Sequence, residues 1–79
     1  MLKLFYMRNI TGSRIQLARH SKKLTQEELA IKLQVLGFHH TRNTIAKIEI
    51  GLRQVTDTEI KAISDVLDVP IEWFFNKGE

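Results

Sequence analysis

Apolar residues recur at intervals of three and four along most of the chain, a spacing that predicts amphipathic helices. Polar and glycine-containing stretches separate the apolar runs and divide the pattern into five segments. The helices are predicted at about residues 11–22, 25–36, 41–51, 56–67 and 70–75. Asn9 or Thr11 is the candidate cap of the first helix, and Pro70 suits the first turn of the fifth.

Threonines mark the starts of the three middle helices. The motifs "TQEE", which begins at Thr25, and "TDTE", at residues 56–59, both fit the capping box, in which threonine and glutamate bond to each other's backbone amide. Thr41 is a candidate cap for the third helix. Gly37 and Gly51 are natural helix stops. These signals predict a well-defined helical chain.

Each helix has an apolar stripe that predicts which side is buried. The predicted core positions are Ile15, Ala18, Leu29, Ala30, Leu33, Leu36, Ile45, Ile48, Ile60, Ile63, Val66 and Leu67. We therefore expect an all-α fold, a compact five-helix bundle over residues 11–76, with an apolar lead-in at 1–10 and a tail at 77–79. Within the lead-in, residues 2–6 could form a strand or be disordered, and could pair with a second copy or fold back on the core.

Composition narrows the function. A domain of 79 residues has room for one modest core and little more. There is no cysteine, and no nucleophile with a recognisable base beside it or glycine-rich phosphate loop is apparent. Adjacent His39 and His40 lack the spacing of paired metal ligands on a helix. We expect no enzyme, cofactor, metal or small-molecule ligand.

Neither a membrane span nor a secretory signal is expected from the hydropathy pattern. No apolar run approaches the ~20 residues that cross a bilayer. The opening "MLKLFYM" lacks the longer apolar stretch and cleavage site of a signal peptide. A cytoplasmic protein is therefore the expectation.

Charge is distributed unevenly along the chain. Residues 1–55 contain ten lysines and arginines against three acidic residues, whereas residues 56–79 contain two against six. A basic first part and an acidic second part suggest that one face meets a polyanion. Chance segregation of solvated charges is the alternative.

The third helix has the residue types of a helix that reads DNA. Ile45 and Ile48 give it one side to bury, while Arg42, Asn43 and Lys47 lie on the rest of its surface. In a helix-turn-helix unit the second helix enters the major groove, where arginine matches guanine and asparagine matches adenine. The pattern predicts that helices two and three form such a unit.

The sequence resembles the phage-repressor or Cro-like (lambda-repressor-like) helix-turn-helix DNA-binding domains. The motifs that carry the resemblance are "LTQEELA", "TIAKIEIG" and "AISDVLDVPIEWFF", within residues 14–75. The resemblance implies a bacterial or phage regulator that binds double-stranded DNA, usually as a homodimer on a pseudo-palindromic operator.

Roles for individual residues also follow from the resemblance. Arg42, Asn43 and Lys47 match the base-contacting positions of the family. Arg19 and Glu49 match a buried ion pair. The phosphate-contacting positions are matched by Gln26, which also braces the third helix, and by Thr25, Thr41, Thr44 and Arg53. Lys23 stands where many relatives have glycine and is a further candidate for a phosphate contact. For Thr41 and Thr44 capping is the alternative role, and for Lys23 a solvated turn.

Departures from the family pattern leave other roles open. "QVLGFHH" makes the connection between helices two and three about five residues longer than usual. We expect its His39 and His40 to lie in solvent, with contact to the DNA backbone as the alternative. Phe74 is expected to close the core, Trp73 fits either the core or a dimer contact, and exposed Ile50 fits a thymine methyl or a second subunit.

Two functions are consistent with these features. The leading hypothesis is a sequence-specific transcriptional regulator, most simply a repressor that occludes a promoter. The alternative is an antitoxin or another protein-interaction module of the same fold, for which DNA binding is secondary.

Overall fold

Four α-helices and one short 3₁₀ helix make up the computed structural model, which describes residues 9–76. The helices are α1 (Gly12–Ser21), α2 (Gln26–Val35), α3 (Arg42–Glu49) and α4 (Asp57–Leu67), followed by the 3₁₀ helix (Ile71–Phe75). Between residues 9 and 76 there is no strand. The predicted alternatives for residues 2–6 and the tail at 77–79 lie outside the described residues.

The prediction of a fifth α-helix is wrong. Pro70 precedes five residues whose turn closes by a hydrogen bond from the Trp73 amide to the Pro70 carbonyl, at 3.0 Å, which is the tighter 3₁₀ geometry. The segment is too short to hold an α-helix by its own backbone bonds. The bundle therefore has four α-helices and a 3₁₀ closing turn.

Reciprocal capping boxes begin α2, α3 and α4. In α2 the Glu28 amide donates to Thr25 Oγ1 at 3.0 Å, and the Thr25 amide donates to Glu28 Oε1 at 2.8 Å. Thr41 with Thr44 and Thr56 with Glu59 repeat the arrangement. For α1 the cap residue is Thr11, whose side chain makes no capping bond, and Asn9 Oδ1 instead accepts from the Gly12 amide at 2.6 Å. Local sequence therefore fixes where each helix starts.

Left-handed backbone geometry occurs at four of the described residues, one of which, Asp68 at the end of α4, has φ 57°. Gly37 after α2 has φ 98° and Gly51 after α3 has φ 82°, a region open to glycine at no steric cost. Lys23 between α1 and α2 has φ 61°, which costs a residue with a Cβ about 1–2 kcal/mol. The turn needs this conformation, so lysine is tolerated there and not favoured.

One core joins all the helices, with α3 packed chiefly against α2 and α1. The buried apolar residues are Ile15, Ala18, Leu29, Ala30, Leu33, Ile45, Ile48, Ile60, Ala62, Ile63, Leu67 and Phe74. Leu36, predicted to be buried, is 54% exposed, because α2 ends at Val35 and the chain turns away at Leu36. Val66 is partly buried against the core.

The aromatic segment closes the bundle against α1. Phe74 is fully buried, and Trp73 packs edge-on against it with ring centroids 5.4 Å apart. The Arg14 guanidinium lies 3.9 Å from the centre of the Trp73 ring, and Arg14 Nε donates to the Trp73 carbonyl at 3.1 Å. A cation over an aromatic ring adds to the packing. Both Phe74 and Trp73 thus contribute to closing the core.

Candidate nucleic-acid interface

Helix α3 has a buried side and a polar exposed side. Ile45 and Ile48 are completely buried. Arg42, Asn43 and Lys47 are exposed, and none of them has a side-chain partner among the described hydrogen bonds or ion pairs. The three side chains are therefore available to an external ligand, with Arg42 toward α2 and with Asn43 and Lys47 toward the loop after α3.

A buried ion pair fixes the C-terminal end of α3. Arg19 of α1 donates through Nε to Glu49 Oε2 at 2.6 Å and through Nη2 to Oε1 at 3.0 Å. The Glu49 side chain has no exposed surface, and that of Arg19 is 7% exposed. Arg19 Nη1 also donates to the Leu24 carbonyl at 2.7 Å, so the same guanidinium holds the turn before α2. Two parallel charge-assisted bonds make this a well-oriented pair.

Gln26 connects the start of α2 to this pair. Its Nε2 donates to Glu49 Oε1 at 3.1 Å, and the residue is half-buried. This bond satisfies part of the Glu49 carboxylate and spans the helix-turn-helix unit from its first helix to its second. Gln26 thereby braces α3, while its proposed contact with a phosphate remains a prediction.

Two open grooves flank the start of α3. One lies between α3 and the loop that follows it and is lined by Thr41, Asn43, Thr44, Lys47, Leu52, Arg53, Gln54 and Thr56. The other lies between α3 and the start of α2 and is lined by Arg19, Thr25, Gln26, Glu27 and Arg42. We call the first the α3–loop groove and the second the α2–α3 groove. Of the residues predicted to contact DNA, Lys23 is the one that lines neither.

Hydroxyl and amide groups at the start of α3 are already ordered by the cap. The Thr44 amide donates to Thr41 Oγ1 at 3.3 Å and the Thr41 amide donates to Thr44 Oγ1 at 3.2 Å. Both hydroxyl groups lie in the α3–loop groove. The N-terminus of a helix favours anions because its amides and its dipole point toward them. Capping and proximity to the groove therefore coincide in this pair.

Arg53 lines the α3–loop groove but is held by the protein. Its Nη1 donates to Glu59 Oε1 at 3.1 Å and its Nη2 donates to Glu59 Oε2 at 3.0 Å. Nη1 also donates to the Gln54 carbonyl at 2.8 Å. The Arg53 side chain is 38% exposed. Sequence patterns identified Glu59 as part of a capping box, but they gave no sign that it would also pair with Arg53.

The expectation that both histidines lie in solvent is wrong for His40. His39 is exposed, whereas His40 is 2% exposed and its Nε2 lies 3.1 Å from Glu59 Oε2. The Phe38 ring packs edge-on against the imidazole, and Gln34 Nε2 donates to the His40 carbonyl at 2.6 Å. The lengthened connection therefore folds inward, toward the start of α4.

Burial and charge set the protonation of this pair. Burial lowers the pKa of His40 below its ordinary value of 6.5; attraction to Glu59 opposes this shift and the nearby Arg53 charge adds to it. Burial by itself raises the pKa of Glu59, but bonds from the Arg53 guanidinium and the Thr56 amide outweigh burial, so that pKa lies below 4.5. Near pH 7 the cluster consists of a neutral imidazole, a carboxylate and a guanidinium.

Among residues 9–76 the structure contains neither a cluster of metal ligands nor a membrane-spanning helix. No three histidine, cysteine, aspartate or glutamate side chains there come together in a way that could hold a metal ion. No helix in this part of the chain is long and apolar enough to cross a membrane.

The family of the chain follows from a comparison with known domains. A family model for helix-turn-helix domains of the Cro/C1 type matches residues 15–74, well over half of the chain. The chain belongs to this family and is a helix-turn-helix, DNA-binding transcription regulator. Neither the curated proteins nor the solved structures contain a significant match. The ligand class is double-stranded DNA.

Proposed function

We propose that this protein is a sequence-specific transcriptional repressor that binds a pseudo-palindromic operator as a homodimer in the cytoplasm. The observation that carries the proposal is the exposed face of α3, where Arg42, Asn43 and Lys47 have no partner within the described residues. The opposite side of the helix is locked by Glu49. A rigid helix with free, directional donors is suited to reading base edges.

Arg42 and Asn43 would provide most of the base discrimination. An arginine can donate two hydrogen bonds to guanine O6 and N7, and an asparagine can pair with both adenine N6 and N7. Lys47 lies one helical turn beyond Asn43 and extends the contact along the groove. Phosphate contacts are assigned to Gln26 and Arg53, together with Thr25, Thr41, Thr44 and Lys23.

Dimerisation is part of the proposal because α3 is short. It has eight residues, so one copy reads only a few base pairs. Two copies related by a two-fold axis would read two half-sites, about one DNA turn or ~34 Å apart. Sedimentation of the protein with one selected duplex tests this arrangement. Saturation at one protein per duplex would contradict it.

Selection of bound sequences from random duplex DNA at fixed salt tests the function directly. We expect an enriched motif with two inverted half-sites and an affinity that falls as salt rises, with a log–log slope of roughly −0.9 for each phosphate neutralised. Either the absence of an enriched motif or a flat salt dependence would refute the proposal.

Single substitutions then assign the contacts. Arg42→Ala and Asn43→Ala should each cost about 1–3 kcal/mol on the preferred sequence and relax preference at one base position. Lys61→Ala is the matched control, because Lys61 pairs with Asp65 at 2.7 Å on α4 and lines neither groove. The control should leave the motif unchanged.

A further inference from the structure

The Glu59 carboxylate joins three separate parts of the chain. Oε1 accepts from the Thr56 amide at 2.9 Å and from Arg53 Nη1 at 3.1 Å. Oε2 accepts from Arg53 Nη2 at 3.0 Å and lies 3.1 Å from His40 Nε2. The start of α4, the loop after α3 and the connection before α3 therefore meet at one side chain.

The side chains of His40, Glu59 and Arg53 differ in exposure, and Arg53 is the most exposed of the three. His40 and Glu59 are 2% and 9% exposed along their side chains, whereas Arg53 is 38% exposed. The buried members lie behind, and Arg53 emerges into the α3–loop groove beside Asn43 and Lys47. The cluster thus presents a single cation to the groove.

Arg53 keeps donors for an external anion while it is held. A guanidinium has five N–H groups in a planar fork. Bonds to Glu59 and to the Gln54 carbonyl use three of these groups, through Nη1 twice and Nη2 once. The Nε hydrogen and the second Nη2 hydrogen are not used by these bonds. One edge of the fork can therefore contact a phosphate without breaking the pair.

We propose that Glu59 and His40 are positioning residues that orient Arg53 toward a DNA phosphate in the α3–loop groove. This inference rests on the proposed function. Immobilising a long side chain at an interface costs binding free energy, and a side chain that is already oriented avoids most of that cost. Fork-shaped pairing to a carboxylate also needs arginine, because lysine is a point charge without a fixed plane.

His40 has a specific part in this arrangement. Nε2 of its buried ring lies 3.1 Å from Glu59 Oε2, and His40 immediately precedes Thr41, the cap of α3. The charged or titratable groups that face the ring are Glu59 of α4 and Arg53 of the loop. The buried imidazole thus lies against the Glu59 carboxylate and links it to the start of α3.

Removing the charge of Glu59 tests the proposal, because positioning and simple electrostatics predict opposite changes in DNA affinity. Glu59→Gln removes a negative charge near the DNA, which by electrostatics alone should strengthen binding. If Glu59 positions Arg53, the same variant should instead weaken binding by about two- to tenfold, the cost of ordering one long side chain. Asp57→Asn is the matched control, since Asp57 is exposed in the same first turn of α4. The control should bind the selected duplex as tightly as the unmodified protein or more tightly.

Arg53 variants separate positioning from a general effect on the fold. In an Arg53→Gln background, Glu59→Gln and His40→Gln should cause no further weakening, because their effect acts through Arg53. Arg53→Lys should lose most of the affinity that Arg53→Gln loses. Full rescue by lysine would overturn the proposal, since a mobile cation would then suffice.

Each binding measurement is made at a temperature where circular dichroism shows the variant to be fully folded. If Glu59→Gln does not fold, the Arg53→Lys and His40→Gln comparisons still decide the question, and Arg53 is exposed enough to be replaced. If the unmodified protein shows no salt-dependent binding to DNA, the proposed function is refuted. Binding by the unmodified protein, with Glu59→Gln as tight as Asp57→Asn, would refute this inference alone.

Discussion

Replacing only one partner of the Arg19–Glu49 pair should reduce the free energy of unfolding more than the loss of any other single polar interaction. Arg19→Met would leave the Glu49 carboxylate without exposed surface and with one remaining side-chain donor, Gln26 Nε2 at 3.1 Å. The variant would also remove the donor to the Leu24 carbonyl. Stranding a buried charge in this way costs about 3–5 kcal/mol.

That cost is large on the scale of this domain. At about 0.05–0.15 kcal/mol per residue, a chain of 79 residues has a free energy of unfolding of roughly 4–12 kcal/mol. Arg19→Met should therefore remove about a quarter or more of the stability. Urea unfolding, followed by circular dichroism and by the fluorescence of the single tryptophan, Trp73, measures the loss.

A double variant distinguishes a stranded charge from lost packing. Arg19→Met with Glu49→Leu replaces the pair by apolar side chains and leaves no buried charge, so it should cost much less than the sum of the single variants. Lys61→Met is the surface control, because Lys61 and Asp65 are 62% and 60% exposed, and it should change stability by less than about 0.5 kcal/mol. Additive losses at Arg19 and Glu49, or an Arg19→Met cost below about 1 kcal/mol, would refute the reasoning.

Three further predictions concern close packing, turn geometry and acidity. Gly12→Ala should lower the free energy of unfolding by about 1–3 kcal/mol in urea, because its Cβ would overlap the Ile48 carbonyl oxygen; an unchanged value would contradict this. Lys23→Gly should raise the unfolding midpoint by relieving the positive φ, and a lower midpoint would contradict the explanation. Burial lowers the pKa of His40 in the folded protein, so as the pH falls the histidine is protonated in the unfolded chain before it is protonated in the folded one. The free energy of unfolding should therefore decrease as the pH is lowered below 6.5. His40→Gln should flatten this part of the profile, measured by urea unfolding at a series of pH values.

Helix starts and the buried face of α3 could be predicted because local chemistry determines them. Threonine at the cap and a partner three residues later satisfy free backbone amides wherever the motif occurs. The starts at Gln26, Arg42 and Asp57 follow from this rule. Spacing of three between Ile45 and Ile48 likewise leaves one arrangement in which both are buried.

Helix ends and the closing segment were harder to predict. Apolar spacing continues to Leu36, but a periodic pattern does not reveal that the helix stops one residue earlier and turns that side chain outward. At the C-terminus, "IEWFF" is rich in apolar residues in either an α-helix or a 3₁₀ helix. Its conformation depends on the position that Phe74 must reach in the core, which is tertiary information.

The position of His40 could not be inferred from its neighbours in sequence. A histidine beside another histidine, after a glycine, has the composition of a solvated loop. Its buried neighbour is Glu59, nineteen positions later, which local patterns explain as a helix cap. The second role of Glu59, beside His40, is difficult to recognise from sequence, because the capping motif already accounts for a glutamate at that position.

The connection between α2 and α3 bears on how α3 is held. The C-terminal end of the helix is fixed to α1 through Glu49, and the residue before its N-terminal cap, His40, is buried against α4 with its Nε2 3.1 Å from Glu59 Oε2. A helix held at both ends has little freedom to rotate about its axis. The buried histidine before α3 therefore helps to hold the presentation of Arg42 and Asn43 in place.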